Sequence, residues 1–328
     1  MNECNSRQRV FLTDVHCRGN SVLSTARDLL RTYGLFTFQI ASTPEEADII
    51  LYLEHGYLGL SDIPRVLKCV RAAPRAMHFV FSESDWPFPV LPGAYPSLSR
   101  PCSWAHTWSY LSGSKRKTSN GSSSDCTVAP EFLFSFLGRV NTHPVRKKIQ
   151  MLDTPNTPCL DVNDGPKRFA RFSYDDTYTD LISRSKFILC PRGFGVSSIR
   201  IFEAMSFGRV PVIISDHWQP PPGIRWQEFC VWVQEDDVTR IPDVLNRLRG
   251  DSSSMGHRAG QVYNEYFARE VFLDRLLSTL VSKYSNCGFT TDAILQRAWR
   301  ALGWREIWTV CHQARTLASS ALVKNVSS

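Results

Sequence analysis

The sequence predicts an α/β protein of two domains, each a sheet of mostly parallel strands flanked by helices. Three observations predict it. Short apolar runs alternate with amphipathic stretches of helical period both early and late in the chain. A segment of almost only Ser, Gly, Asn and charge, Ser112–Cys126, interrupts that alternation and reads as a linker or loop. Residues Ser185 to Asp216 then read as strand, glycine-bearing loop, short helix and strand. The length of 328 residues agrees with about two domains.

Before the linker, Arg9–Thr13 and Asp48–Leu53 are predicted strands, separated by a helix over Ser24–Tyr33. Ile63–Arg71 has a helical pattern and Met77–Ser82 is a further apolar strand. After the linker, Phe132–Leu137 is a strand that ends at Gly138-Arg139. Pro144 stands where a helix start tolerates proline, and the helix from Val145 carries Arg146, Lys147 and Lys148.

The stretch from Ser185 to Asp216 carries the most information. Lys186–Cys190 is a strand that Pro191 ends, and Gly193 and Gly195 let the backbone turn and approach a ligand. Ser197 or Ser198 is placed to cap the following helix, whose start favours an anion. Ile199, Phe202 and Met205 form its core stripe, with Arg200 and Glu203 three apart on the other side. Val210–Ile214 is a buried strand, and Asp216 lies past its carboxyl end, where open α/β sheets bind ligands. The tail is helical: one apolar face runs through His257–Tyr284, and Thr291 or Asp292 caps a helix bearing Ile294, Leu295, Ala298 and Trp299.

The ordered residues Cys190-Pro191-Arg192-Gly193, Ser198-Ile199-Arg200-Ile201-Phe202-Glu203-Ala204 and Gly208-Arg209-Val210-Pro211-Val212-Ile213-Ile214-Ser215-Asp216 resemble the exostosin-like glycosyltransferases. The match continues more thinly through Trp226, Phe229 and Pro242. The resemblance implies a GT-B-like fold of two Rossmann-like domains facing a cleft. It also implies transfer from a nucleotide-sugar, a UDP-sugar by family expectation, with inversion at the anomeric carbon. On that basis residues 1–111 are the acceptor-side domain, 112–130 the linker, 131–285 the nucleotide-sugar domain and 286–328 a helical extension. In such proteins the final helix often crosses back to the first domain.

Moving a sugar off a nucleotide requires a diphosphate to be held and stabilised as it leaves. Arg192 and Arg200 flank the glycine loop and are the first candidates, with Arg139 and Arg146 behind them. Gly193, Gly195, Ser197 and Ser198 belong to the same donor-binding loop, and Asp216 is a candidate for the donor sugar. The resemblance implies that Glu203 accepts from the ribose hydroxyls, for which a carboxylate offers two oxygens. The bland alternatives are surface ion pairs for the arginines and a helical pair between Arg200 and Glu203.

An inverting transfer also needs a base for the acceptor hydroxyl. Asp14 and His16 follow the first strand, and Glu83 and Asp85 follow another, so all four are candidates, with turn formation as the alternative role. Trp86, Phe88 and Tyr95 in the same proline-rich loop are candidates to stack on an acceptor sugar.

Composition sets the remaining bounds. A hydrophobic fraction of 43% fits a folded chain, and a net charge of +7 suits a phosphate-bearing ligand without specifying one. The basic residues form no single stripe, so no nucleic-acid partner is expected. The ten cysteines include no C-x-x-C pair and are expected as reduced thiols. Asp175-Asp176 and Asp236-Asp237 lack the spacing of a cation site, so neither a metal nor another cofactor is expected. The polar opening MNECNSRQRV and the short apolar runs lead to an expected cytoplasmic protein. Its partners would be a nucleotide-sugar donor and a glycan or glycolipid acceptor. A peripheral membrane contact through Trp299, Trp304 and Trp308 beside Arg297, Arg300 and Arg305 is the alternative to core packing of that tail.

Two other function classes compete. One is a non-catalytic nucleotide- or carbohydrate-binding homologue, since a fold does not guarantee activity. The other is a nicotinamide-dependent Rossmann enzyme, disfavoured because Gly193-Phe194-Gly195 is followed by Ser198 where G-x-G-x-x-G needs glycine.

Overall fold

Near-continuous apolar runs such as Ile49–Glu54, buried along their whole length, require cover on both faces, which parallel sheets with crossover helices provide. A computed structural model describes residues 7–16, 19–56, 58–111, 129–162 and 174–300 of the chain. The predicted linker over 112–126, and Trp304, Arg305 and Trp308, lie outside those residues.

The first sheet is six-stranded in the order β2-β1-β3-β4-β5-β6, and all its pairings are parallel. It comprises β1 (Arg9–Thr13), β2 (Gln39–Ile40), β3 (Ile49–Glu54), β4 (Met77–Ser82), β5 (Gly93–Ala94) and β6 (Ala105–His106). Helices α1 (Ser21–Tyr33) and α2 (Ile63–Ala72) make two of the crossovers. The first of these begins three residues before the expected Ser24, because Asn20 caps it. The Asn20 side chain accepts from the N–H of Val22 (2.9 Å) and Leu23 (3.0 Å) and donates to the Leu53 carbonyl (2.8 Å). One residue thus starts the helix and pins it to the end of β3.

The second sheet has five parallel strands in the order β11-β10-β9-β7-β8. Its strands are β7 (Phe132–Gly138), β8 (Cys159–Asp161), β9 (Ser185–Pro191), β10 (Val210–Ile214) and β11 (Val231–Val233). Around it lie α3 (Pro144–Gln150), α4 (Tyr174–Ser183), α5 (Arg200–Ser206) and α6 (Ile241–Arg247). Two parallel α/β sheets in one chain are the GT-B-like layout that the sequence led to.

The single apolar face expected over His257–Tyr284 belongs to two helices, α7 (Ser252–Tyr266) and α8 (Phe272–Tyr284). They part because they cover different sheets. The first packs on α5, where a Cβ on Gly256 would stand 2.3 Å from the Gly208 carbonyl oxygen, so only glycine allows that approach. The second returns to the first sheet. Phe272 meets Phe81 edge-on at 5.7 Å, and the Tyr284 hydroxyl lies 3.0 Å from His106 Nδ1. Buried Asp274, in the first turn of α8, accepts from the N–H groups of Phe36 (2.9 Å) and Thr37 (2.8 Å). Burial holds the His106 imidazole neutral, with its pKa lowered to about 3.

One apolar core therefore runs through both sheets, joining Leu53 and Phe81 to Trp108, Phe202, Phe267 and Phe272. Residues 291–300 form a further helical stretch whose Ile294 and Ala298 join the first sheet's other core. Leu295 and Trp299 face solvent, whereas Arg297 is buried and donates to the Gly288 carbonyl. Arg297 is thus part of the packing and not of a basic rim beside Trp299, a correction to the membrane-facing alternative. No described helix is long and apolar enough to cross a membrane.

Candidate functional site

The site is built where β9 and β10 end. The Arg192 N–H donates to the Ile214 carbonyl (3.0 Å), carrying the ladder one residue past Pro191. The Arg192 side chain is buried, with Nη1 3.7 Å from Glu235 Oε1. Glu235 follows β11 and also bonds reciprocally with Asp216: each backbone N–H donates to the other's carboxylate, at 3.2 and 2.9 Å. Asp216 is solvent-exposed at that strand end, tied to the neighbouring strand's loop.

Arg146, in the first turn of α3, is buried and faces main chain. Its Nε donates to the Arg192 carbonyl (2.7 Å), Nη2 to the Pro191 carbonyl (3.2 Å) and Nη1 to the Arg139 carbonyl (3.1 Å). Three donors of one guanidinium thus lock the loop after β7 to the loop after β9. Arg139 contributes its carbonyl to this clamp, and its side chain is exposed. Arg139 and Arg146 were candidates to hold the diphosphate behind Arg192 and Arg200. The structure makes Arg146 the brace of the loop, because buried carbonyls must find donors.

Gly193 and Gly195 were expected to turn the backbone sharply and let it approach a ligand closely. Neither has positive φ; their use is close approach. A Cβ on Gly195 would lie 2.5 Å from both an Asp85 carboxylate oxygen and the Ser97 hydroxyl, and one on Gly193 would lie 3.1 Å from Arg146 Nη2. Asp85 and Ser97 belong to the first sheet's loops, so the two halves of the molecule meet at Gly195.

Asp85 keeps part of its surface in solvent and part enclosed by the loop, accepts the Gly195 N–H, and feels the charges of Arg146 and Arg192. Loss of surrounding water raises its carboxyl above the ordinary value, while that hydrogen bond and the two arginines act in the opposite direction.

Beside this loop, the Arg200 guanidinium gives Nε and Nη2 to the Leu137 carbonyl (3.1 and 2.8 Å) and lies over the rings of Phe136 (5.3 Å) and Tyr178 (5.8 Å). Two of its donors are committed inside the second domain, away from the expected role as a free phosphate clamp. Glu203 is buried and accepts from the Tyr178 hydroxyl. The partners of Arg200 and Glu203 come from other elements, so both are anchored by tertiary packing and not merely by helical spacing. Ile199 occupies the cap position of α5 with no side-chain cap, which corrects the capping expected of Ser197 or Ser198; both serines are buried.

The other base candidates sit elsewhere in the first domain. Glu83 is buried and its carboxylate accepts the Leu111 N–H, a tie to the segment after β6. His16 lies 3.6 Å from Asp62 and 3.0 Å from Arg65, both of the α2 region. Asp14 is buried near Glu54, the last residue of β3.

Glu54 escaped the sequence reading, since it looks like the polar end of an apolar strand. Its Oε1 accepts the Val15 N–H (2.6 Å), yet burial, with the charges of Asp14 and Asp62, raises its pKa to about 7. An acid with a raised native pKa binds more protons folded than unfolded, so folding stability falls as pH rises from 4.5 to about 7. Glu54→Gln keeps the acceptor and removes the charge. Urea unfolding at pH 5 and pH 8 should show a wild-type loss of about 2.5 kcal/mol that the variant lacks. Parallel pH dependences for the two proteins would overturn this.

Among the described residues no three His, Cys, Asp or Glu side chains converge as a metal site. Asp236 pairs with Lys148 at 2.9 Å. Among the described cysteines, Cys102, Cys190, Cys230 and Cys287 are free thiols.

Known proteins resemble parts of this chain. The chain is 33% identical over 113 residues to an exostosin-1 homolog of Caenorhabditis elegans, covering 33% of this chain and 30% of that protein. It is 35% identical over 95 residues to a "probable glucuronosyltransferase" of Oryza sativa subsp. japonica, covering 28% and 21%. The matched stretches thus span less than a third of those relatives' own lengths. Among solved structures, that of Anabaena HepE in complex with UDP is similar over 84% of this chain and 100% of that chain, at 9% identity and a TM-score of 0.41. The exostosin GT47 domain model matches residues 110–248, which hold the Arg146 clamp, the Arg192 loop, α5 and Glu235. Over that stretch the chain is similar to the exostosin GT47 domain, the family that its ordered loop residues resemble.

Proposed function

We propose that the protein transfers a sugar from a nucleotide-sugar, a UDP-sugar in the first instance, to a hydroxyl of a glycan, glycolipid or glycoprotein. Transfer inverts the anomeric carbon and needs no metal. One observation carries the reading: the Asp85 carboxyl reaches from the first sheet's loops onto Gly195, beside Arg192 and Arg146, within the exostosin loop.

The geometry supports a single displacement. Ionised Asp85 takes the proton of the acceptor hydroxyl as its oxygen bonds to the anomeric carbon. On the opposite face the bond from that carbon to the diphosphate breaks, and the electron pair leaves with the nucleotide. Arg192, held by its own backbone ladder and by the Arg146 clamp, meets the growing negative charge on the diphosphate. Glu203, oriented by Tyr178, is the acceptor for the ribose diol.

The test is thermal unfolding across UDP, GDP and their common sugar conjugates, followed by donor turnover in excess EDTA. A ligand at a hundred times its Kd adds about 2.7 kcal/mol and raises Tm by several degrees. One nucleotide series should do so, and turnover of its sugar conjugate should survive EDTA. Loss in EDTA with recovery on manganese overturns the metal-free mechanism. Binding with no turnover, even to water, reassigns the protein as a nucleotide-binding homologue.

A further inference from the structure

Two large aromatic side chains stand in the open beside Asp85. Trp86, its chain neighbour, is 46% exposed, and Phe194, between Gly193 and Gly195, is 55% exposed. Their ring centroids lie 6.2 Å apart at 39°. They come from opposite halves of the molecule: Trp86 from the loop after β4, Phe194 from the exostosin loop. Ser84 fixes the first loop by accepting the Trp86 N–H and donating to the Trp86 carbonyl, both at 3.2 Å. Phe88 and Tyr95, the other aromatics expected as sugar contacts, are buried at 3% and 1% exposure and belong to the core.

Exposed aromatics on a loop already ordered by other contacts need a reason, since burying them would be favourable. As a latch between domains the pair is poor, because about half of each ring faces water. The halves are already joined by the apolar core, and the Trp218 indole N–H donates to the Pro96 carbonyl at 3.1 Å. A pyranose offers faces of C–H groups, weakly positive, that suit the negative face of an aromatic ring, while its rim hydroxyls stay hydrated. Sequence adjacency ties this surface to the carboxyl that would deprotonate an acceptor.

We propose that Trp86 and Phe194 form the acceptor subsite, a two-sided aromatic platform on which the terminal sugar ring of the acceptor stacks with its hydroxyl toward Asp85. This deepens the glycosyl-transfer reading and rests on it. The platform selects acceptors that present an unobstructed apolar ring face and disfavours those bearing sulfate or carboxylate on that face.

The test uses the full chain, saturating UDP and an immobilised glycan array as the probe. Wild type should retain a set of neutral glycans. Trp86→Ala and Phe194→Ala should each lose that retention, and Phe194→Tyr should keep it. On a retained glycan, each alanine variant should raise acceptor KM about tenfold, equivalent to about 1.4 kcal/mol. Its kcat should stay within threefold, with UDP affinity and donor hydrolysis by water unchanged.

Unchanged retention in both alanine variants would overturn the platform, as would retention of no glycan by wild type. A fall in Tm with acceptor KM intact would reassign the pair as a latch. Failure of wild type to bind any nucleotide would instead sink the transferase reading, which the hydrolysis assay reads separately.

Discussion

Asp85→Asn is expected to lower kcat by about 10²–10⁴-fold while leaving nucleotide affinity near that of wild type. Asparagine keeps the size of the side chain and an oxygen to accept the Gly195 N–H, so the seat between the halves survives. What disappears is the proton acceptor. The charge change also removes one carboxylate from beside Arg146 and Arg192, so donor binding should hold or tighten. The pH dependence gives an independent reading. The active form is the ionised carboxylate, so wild-type kcat/KM should rise with pH through a value above that of an ordinary aspartate, then level off. The residual activity of Asp85→Asn should lack that limb. Near-wild-type turnover would remove Asp85 from the base role and return it to Asp14, His16 or Glu83.

Arg192→Lys should cost about 10²–10³-fold in kcat, the scale of one lost oxyanion-type donor. Lysine keeps the charge but not the planar fork that gives two bonds to one phosphate. The residue is held harder than the sequence indicates. Its N–H is in the β10 ladder, its carbonyl takes Arg146 Nε, and its side chain is buried against Glu235. An ammonium on a flexible stem cannot reproduce that placement. Donor Kd should rise only moderately, since point charge accounts for much of ground-state binding. The comparison is kcat at saturating donor for Arg192→Lys and Arg200→Lys, with folding checked by circular dichroism. Arg200 serves the Leu137 carbonyl, so its replacement should lower Tm more than it slows the chemical step. The reverse ranking would exchange their roles.

Local chemistry made much of this fold legible. β1, β4 and β10 have the bounds that their apolar runs give, and α2 and β9 differ by a residue or so at their ends. Those segments are long or apolar enough that period and punctuation decide them. The glycine loop and its arginines were legible for a similar reason: an ordered run of residues carries the resemblance to a family before any contact is known.

Tertiary structure decided the rest. Strands of two or three residues, such as β5 and β11, have no period of their own and exist only through their pairing partners. Missing β11 hid Glu235, although the rule that placed Asp216 at a strand end applies equally to it. The apolar stripe of residues 257–284 is continuous in sequence, but two sheets compete for it, and the chain breaks so that α8 covers the first. Arg146 and Arg192 look alike as basic residues near a loop. Only the positions of buried carbonyls turn one into a brace, while the other is buried against Glu235 at the end of β9. Four acidic or imidazole candidates for the base stood unranked in the sequence, because the contact between Asp85 and Gly195 joins loops of two different sheets and no local pattern records it.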